Sequence, residues 1–216
     1  MRTKIIETVR KEKLIVILRG VEREKLIPLA QAMYDGGIRM LEITYDAQGK
    51  TSDGDTARNI EMLATEFEGK LLIGAGTVLT EEQVALTKRA GGGFIISPDV
   101  CHAVIQKTRE LEMVSMPGAL TPSEITAAHR SGADFVKLFP VVSMGVDYVK
   151  AIRAPLSHID LLAVGGIHEG NLREYLNAGV CGFGISSNIA NARLIAENRF
   201  DELRELASRY VSEMKL

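Results

Sequence analysis

Short apolar runs of strand length recur along the whole chain. Eight of them are near-continuous rather than alternating, which is typical of parallel strands covered on both faces. They are LIVILRG (14–20), MLEITY (40–45), LLIGAG (71–76), GFIISP (93–98), MVSMPG (113–118), DFVKLFP (134–140), DLLAVGG (160–166) and GFGISS (182–187). Between them, apolar residues recur at helical spacing, as at Leu26, Leu29, Ala30 and Met33. This alternation predicts a parallel sheet with crossover helices.

Eight strand–helix units in 216 residues favour one α/β domain, a (β/α)8 TIM barrel. The rival is an open doubly wound sheet, but no G-x-G-x-x-G follows the first strand. Residues 1–13 predict an extra N-terminal helix whose Ile5, Ile6 and Val9 cover the bottom of the barrel. Because the sequence shows no linker, no low-complexity tract and no second domain, we expect a single domain over 1–216.

The overall composition is that of an ordinary globular protein, with 46% hydrophobic and 25% charged residues. A formal net charge of −2 gives no reason to expect nucleic acid or an anionic membrane as a partner. The cysteines, Cys101 and Cys181, form no close-spaced pair, which argues against a disulfide framework and a thiolate zinc site. No apolar run approaches the ~20 residues of a membrane span, and the charged N-terminus is unlike a signal peptide. We therefore expect a cytoplasmic protein.

Polar residues and glycines gather where the predicted strands end, and active sites of barrels lie at that end of the strands. The residues at these strand ends, three prolines and Phe139 among them, are Arg19, Glu42, Thr44, Gly74, Gly76, Thr77, Ser97, Pro98, Pro117, Gly118, Lys137, Phe139, Pro140, Gly165, Gly166, Ser186 and Ser187. Such a concentration at one end predicts a site rather than a structural core.

Lys137 interrupts the apolar run of the sixth predicted strand. The outer face of a barrel strand packs on helices and would not accept an ammonium group, so the side chain should point into the barrel near its rim. Burial there lowers a lysine pKa, and a neutral amine can attack a carbonyl to form a Schiff base. The alternative is a lysine at a strand end that reaches water or pairs with an acid.

Glu42 interrupts the second strand in the same way. A carboxylate near a Schiff-base lysine can move the protons that carbinolamine formation and C–C cleavage require. The alternative is a buried ion pair with Lys137 or Arg19, which is costly to keep for stability alone.

Two further groups of residues predict anion binding. Arg19 could pair with a carboxylate and Thr77 could assist it; the alternatives are a rim salt bridge and a helix cap. Gly165, Gly166 and Ser187 end the seventh and eighth strands, the usual phosphate pocket of barrels, although glycines also serve ordinary turns. No histidine lies at ligand spacing, so we expect neither a catalytic metal nor a cofactor.

Six motifs occur in a familiar order: LEIT, GAGTVLT, ISP, MPGALTPSE, FVKLFP and AVGGI. Over about residues 14–190 the chain resembles the class I 2-keto-3-deoxy-6-phosphogluconate aldolase/4-hydroxy-2-oxoglutarate aldolase family. The resemblance implies a metal-free (β/α)8 barrel, usually a homotrimer. It also implies cleavage of 2-keto-3-deoxy-6-phospho sugar acids to pyruvate and glyceraldehyde 3-phosphate, and in some members of 4-hydroxy-2-oxoglutarate to pyruvate and glyoxylate.

The same resemblance assigns roles to individual positions. It makes Lys137 the residue that forms the imine and Glu42 the acid/base. It places Thr77 at the pyruvate carboxylate, and Pro98 and Phe139 in the pocket wall.

The sequence departs from the family pattern in three places. Tyr45-Asp46-Ala47 follows the glutamate motif where some members carry an arginine, so the carboxylate role passes to Arg19, as in other members. Val164 stands where gluconate-type members often have threonine, which is more similar to members acting on the galactonate epimer. Ser186 replaces a common glycine, so we expect a tighter or more polar phosphate pocket.

Two other functions remain open from the residues alone. A barrel isomerase or synthase of phosphorylated metabolites would use the same glycine loops without an imine. A sugar-phosphate sensor would bind such a ligand without turning it over.

Overall fold

Strands and helices alternate along the chain in the computed structural model, which describes residues 2–215. Met1 of the predicted helix and Leu216 of the predicted domain lie outside the described residues. The strands are β1 (Leu14–Leu18), β2 (Met40–Thr44), β3 (Leu72–Gly76), β4 (Phe94–Ile96), β5 (Val114–Met116), β6 (Gly118–Ala119), β7 (Val136–Leu138), β8 (Leu161–Val164) and β9 (Gly182–Ile185).

Helices follow almost every strand. They are α1 (Arg2–Glu12), α2 (Arg23–Asp35), α3 (Asp53–Glu66), α4 (Glu81–Arg89), α5 (His102–Glu110), α6 (Pro122–Arg130), α7 (Gly145–Arg153), α8 (Leu172–Asn177), α9 (Ala192–Ala196) and α10 (Phe200–Lys215). Within residues 2–215, no helix has the length and apolar character needed to cross a membrane.

All paired strands are parallel, and the sheet runs in the order β5-β4-β3-β2-β1-β9-β8-β7-β6. β5 and β6 stand at the two ends of this order, yet only Pro117 separates them along the chain. The two ends of the sheet therefore meet and form a nearly closed barrel. This confirms the predicted α/β class and the TIM-barrel architecture.

The fifth predicted strand, residues 113–118, differs from the prediction because it is divided into β5 and β6. Pro117 has no backbone N–H, so it cannot donate a hydrogen bond to a neighbouring strand. Its carbonyl still accepts a hydrogen bond from the backbone N–H of Lys137 at 2.9 Å. β5 thus pairs with β4, and β6 pairs with β7.

The lower half of the barrel interior is apolar and is covered from below by α1. Phe94 and Phe135 are fully buried there, in one cluster with Ile5 and Val9 of the helix. Ile6 is partly buried against the same cluster. The predicted N-terminal helix and its buried face are therefore confirmed.

Two ion pairs attach α1 to the barrel. Arg2 pairs with the buried carboxylate of Asp134, and Arg10 pairs with Asp160 at 2.9 Å. Both acids lie at or just before the start of β7 or β8, at the end of the barrel opposite to the ends of the strands that carry the predicted site. The chemistry of the site is thus separated from the helix that closes the bottom.

Candidate active site

The carboxyl ends of the strands surround a cleft of about 360 Å³. Its lining includes eight of the nine residues predicted for the site, namely Arg19, Thr77, Pro98, Lys137, Phe139, Gly165, Gly166 and Ser187. A larger groove of about 420 Å³ lies at the opposite end, around Gly69 and Gly91, and contains none of them. Chemistry rather than size therefore identifies the candidate site.

Lys137 is the central residue of β7 and points into the barrel. Its neighbours Val136 and Leu138 pack in the outer core, whereas Lys137 itself is only 7% exposed. Its Nζ lies 4.7 Å from the centroid of the Phe139 ring. The side chain thus lies where the strand pattern predicts, largely dry at the base of the cleft.

Burial lowers the pKa of Lys137 below its ordinary value, because a charged amine loses its hydration there. The charge of Glu42 opposes this shift of the pKa, and the charge of Arg19 adds to it. Compared with a lysine in water, Lys137 therefore favours the neutral, nucleophilic form of its amine.

Glu42 lies on the inward face of β2 and is 1% exposed. Its carboxylate crosses the backbone of Gly76, where a Cβ atom would overlap it. The Thr44 hydroxyl donates to Oε1 at 3.4 Å, while Oε2 is buried and has no hydrogen-bond partner among the described residues. A buried carboxylate oxygen left in this state is available to a proton, a water molecule or a substrate.

The pKa of Glu42 is raised, and burial is the largest cause. The charges of Lys137 and Arg19 and the bond from Thr44 act to lower the pKa. In the described part of the chain, Glu42 forms no ion pair within 4.0 Å with either cation. The buried ion pair considered above is thus absent, and the acid and the amine influence each other through space.

Arg19 and Thr77 meet at the rim of the cleft. Arg19 follows β1 and is exposed, and its Nη2 lies 3.5 Å from the Thr77 hydroxyl. Thr77 follows β3 with φ of 54°, and the helix cap is made by Thr80 instead. Within residues 2–215, no rim salt bridge within 4.0 Å engages Arg19. Neither of the alternatives considered for this pair is therefore realised.

Pro98 and Phe139 form walls of the cleft. Phe139 is 39% exposed, and its ring lies between Lys137 and Gly165. Pro98 follows β4, and its carbonyl packs so closely on Gly118 that a Cβ atom there would overlap it. Both residues thus give apolar surface to the cleft that contains the amine.

Gly165 and Gly166 follow β8 with φ of 95° and 78°. A side chain at Gly166 would collide with Val142, so this turn requires glycine for space as well as for conformation. Ser187 lines the same part of the cleft. The Ser186 hydroxyl donates to the Ile17 carbonyl at 3.3 Å, so it binds the main chain of β1.

Two asparagines that the sequence did not single out contact this glycine loop. Asn171 donates to the Gly166 carbonyl at 3.0 Å, and Asn188 donates to the Ile167 carbonyl at 2.7 Å. The only signal in the sequence is their position shortly after VGGI and GISS. Side-chain bonds to main-chain carbonyls leave no pattern that a single sequence reveals.

Several proteins of known name that are similar to this chain are aldolases. The family profile described as KDPG and KHG aldolase matches residues 5–206. The chain is 37% identical over 177 residues to a probable 2-dehydro-3-deoxy-6-phosphogalactonate aldolase of Rhizobium meliloti, a match that covers 82% of this chain and 81% of that protein. It is 31% identical over 215 residues to a 2-dehydro-3-deoxy-phosphogluconate aldolase of Haemophilus influenzae, covering 98% and 97%.

A solved structure extends this similarity to the fold. It is a KDPG aldolase from Legionella pneumophila with pyruvate captured at low pH as a covalent carbinolamine intermediate. The two structures superpose with a TM-score of 0.84 at 29% identity, over 94% of this chain and 96% of that chain.

Proposed function

The chain belongs to the KDPG and KHG aldolase family, and from that premise we propose a class I aldolase whose Schiff base forms on Lys137. The substrate we propose is a 2-keto-3-deoxy-6-phospho sugar acid, cleaved to pyruvate and glyceraldehyde 3-phosphate. The observation that carries the proposal is a buried amine of lowered pKa at the base of a cleft, coupled to a buried acid of raised pKa. The enzyme is a carbon–carbon lyase, and its substrate is a small keto acid.

Covalent catalysis by the amine accounts for cleavage of the C–C bond. Neutral Lys137 Nζ attacks C2 of the keto acid to give a carbinolamine. The carbinolamine hydroxyl then takes a proton from the acid/base group and leaves as water, which gives a protonated imine. As the C3–C4 bond breaks, its electron pair moves into the imine and leaves an enamine, while the C4 oxygen becomes the aldehyde. Protonation of the enamine at C3 and addition of water to the imine then release pyruvate and restore the amine.

Glu42 is the group we propose to move the protons. It accepts the proton of the C4 hydroxyl during cleavage and returns a proton in the later steps. Its raised pKa supports this role, because an acid/base catalyst works best when its pKa is close to the operating pH. The unpartnered Oε2 atom is the oxygen we assign to proton transfer.

The remaining residues of the cleft orient the substrate. Arg19 and Thr77 are proposed to hold the carboxylate next to the reacting carbonyl, because a guanidinium and a hydroxyl offer charge-assisted hydrogen bonds at adjacent points. Pro98 and Phe139 confine the bound carbons. Gly165, Gly166 and Ser187 are proposed to bind the distal phosphate.

The galactonate epimer is a second candidate substrate. Val164 lines the cleft, is 7% exposed and brings no hydroxyl to the wall. A site that lacks a hydrogen-bond donor at this point cannot select an epimer by bonding a hydroxyl there. The resemblance of Val164 to galactonate-type members and the similarity to the Rhizobium meliloti protein support this candidate.

Trapping the imine tests the proposal. Borohydride with pyruvate should add a pyruvyl mass at Lys137, and Lys137→Ala should abolish both trapping and turnover. A pyruvate-release screen should then compare the phosphogluconate-type, phosphogalactonate-type and 4-hydroxy-2-oxoglutarate substrates. Turnover without trapping would favour the isomerase or synthase, and ligand binding without pyruvate release would favour the sensor.

We also propose one aldolase domain over 1–216 and a homotrimer. The profile match over residues 5–206 and the packing of α10 on α2 support the single domain. Exposed apolar side chains at Val142 and Met144, on the loop after β7, support an interface near the cleft. Sedimentation equilibrium measures the assembly, and a monomeric mass at micromolar concentration would contradict the trimer.

A further inference from the structure

We infer that Asn171 and Asn188 are positioning residues for the substrate phosphate, because they fix the loop after β8 with its carbonyls engaged and its N–H groups free. The inference rests on the proposed function for the identity of the anion. Neither side chain is proposed to touch the reacting atoms.

Each of the four consecutive carbonyls from Val164 to Ile167 accepts a hydrogen bond. Two of the donors are backbone N–H groups of the loop after β7, and two are the asparagine side chains. The bonds are Val141 N to Val164 O at 3.0 Å, Val142 N to Gly165 O at 3.2 Å, Asn171 Nδ2 to Gly166 O at 3.0 Å and Asn188 Nδ2 to Ile167 O at 2.7 Å. No carbonyl of this stretch is left to repel an anion in the cleft.

The N–H groups of the same loop, unlike its carbonyls, are without hydrogen-bond partners in the described part of the chain. Within residues 2–215, the N–H groups of Gly165, Gly166 and Ile167 donate to no acceptor, and all three residues line the cleft. Successive backbone N–H groups in a turn can form a concave group of donors that suits an anion, and Gly165 and Gly166 form such a turn with positive φ. Backbone N–H groups are donors that need a partner, so water or an anion must supply one.

The orientation of the Asn171 amide is fixed by its partners. Its Oδ1 accepts from the His168 backbone N–H at 2.9 Å, and its Nδ2 donates to the Gly166 carbonyl. A backbone N–H can only donate and a carbonyl can only accept, so the amide cannot be reversed. One side chain thereby sets the positions of two loop residues.

The Asn171 side chain does not make the N-cap hydrogen bond that its position before α8 suggests. It precedes α8 as the N-cap residue, where asparagine commonly accepts a hydrogen bond from the first turn. No such bond is present, and the side chain faces back to the glycine loop. Asn188 makes its bond from the loop after β9, so the phosphate loop is held from two different elements.

Removing either side-chain donor should loosen the loop and weaken binding of phosphate, but not of the keto-acid portion. We expect Asn171→Ala and Asn188→Ala to raise KM for the phosphorylated substrate about 10-fold, the effect of losing one well-placed hydrogen bond. KM for 4-hydroxy-2-oxoglutarate, which has no phosphate, should change less than 2-fold, roughly within the range of a neutral substitution. Asn177→Ala, an exposed asparagine at the end of α8, is the matched control and should change neither value.

Three outcomes would overturn the inference: unchanged KM for the phosphorylated substrate in both variants, equal rises for both substrates, or the same rise in Asn177→Ala. A purely structural role predicts the second of these. Asn188 is exposed, so its variant tests the inference even if Asn171→Ala does not fold.

Inorganic phosphate separates this inference from the proposed function. Titration of 15N-labelled protein with inorganic phosphate should shift the amide signals of Gly165 and Gly166 in the native protein, and about 10-fold higher concentrations should be needed in the two variants. This measurement needs no turnover. Shifts without aldolase activity would overturn the proposed function alone, and activity without such shifts would overturn the inference alone.

Discussion

The Glu42 carboxylate lies across the backbone of Gly76, two residues beyond Gly74, which is its register partner on β3. A Cβ atom at Gly76 would overlap the carboxylate and its Cγ atom. The buried acid therefore exists in its present rotamer only because β3 ends in a residue without a side chain.

Substituting Gly76 should displace the acid without removing the amine. We expect Gly76→Ala to reduce kcat at least 100-fold, since general acid–base catalysis contributes roughly 10²–10⁴-fold. It should also lower the free energy of unfolding by about 1–3 kcal/mol through overpacking. Pyruvate trapping at Lys137 should persist, and mass spectrometry with steady-state kinetics measures both effects.

Gly54→Ala is the matched control for this change. Gly54 lies in the first turn of α3, where a Cβ atom meets only ordinary contacts at 3.8 Å. Activity should be unchanged and stability equal or slightly higher. Full activity of Gly76→Ala would show that the position of Glu42 is irrelevant to turnover.

The reactivity of Lys137 should depend on pH with a midpoint below the ordinary lysine value of 10.5. Only the neutral amine attacks, so trapping with pyruvate and cyanoborohydride rises as pH passes through the lowered pKa. The charge of Glu42 raises this pKa, so Glu42→Gln should move the midpoint to lower pH. The charge of Arg19 lowers it, so Arg19→Gln should move the midpoint to higher pH.

The opposite signs of these two shifts serve as an internal control. Initial trapping rates across the pH range, read from the Lys137 peptide, give the three midpoints. Shifts in the same direction, or a native midpoint at 10.5, would contradict the electrostatic assignment.

Loss of the guanidinium at the rim should weaken binding of the keto acid. We expect Arg19→Ala to raise KM about 10- to 100-fold, the value of one charge-assisted hydrogen bond, whether or not the substrate carries a phosphate. Arg23→Ala removes an exposed arginine that pairs with Asp55 and serves as the control. Equal KM values in the two variants would remove Arg19 from the carboxylate site.

The bottom of the barrel should affect stability alone. Ile5 is 1% exposed beneath the inner cluster, so Ile5→Ala should lower the free energy of unfolding by about 2–4 kcal/mol. Its kcat should stay at the native value because the site lies at the other end. Denaturant unfolding compares it with Lys4→Ala, an exposed position on the same helix. A large fall in kcat at full folding would mean that the two ends are coupled.

The inward placement of Lys137 and Glu42 followed from the sequence because side chains alternate across a strand. A parallel barrel then brings all strand ends to one rim, which unites residues as distant along the chain as Arg19 and Ser187. These rules are general and need no knowledge of register. They explain why one cleft contains eight of the nine predicted residues.

What the sequence did not show depends on register and on loop conformation. The overlap of Glu42 with Gly76 requires the pairing of β2 with β3, which no single strand specifies. The division at Pro117 depends on where a strand changes partner. The contacts of Asn171 and Asn188 go to main-chain carbonyls, which have no residue-specific signature.

The main chain of Lys137 completes the ring of strands, since its N–H binds the Pro117 carbonyl at the point where β5 gives way to β6. Its Cα is held between Gly118 on one side and Leu162 on the other. Directed evolution toward other aldehydes therefore has more freedom in the side chains of the cleft wall, such as Phe139 and Val164. The backbone segment that holds Lys137 also closes the barrel, so it does not have the same freedom to change.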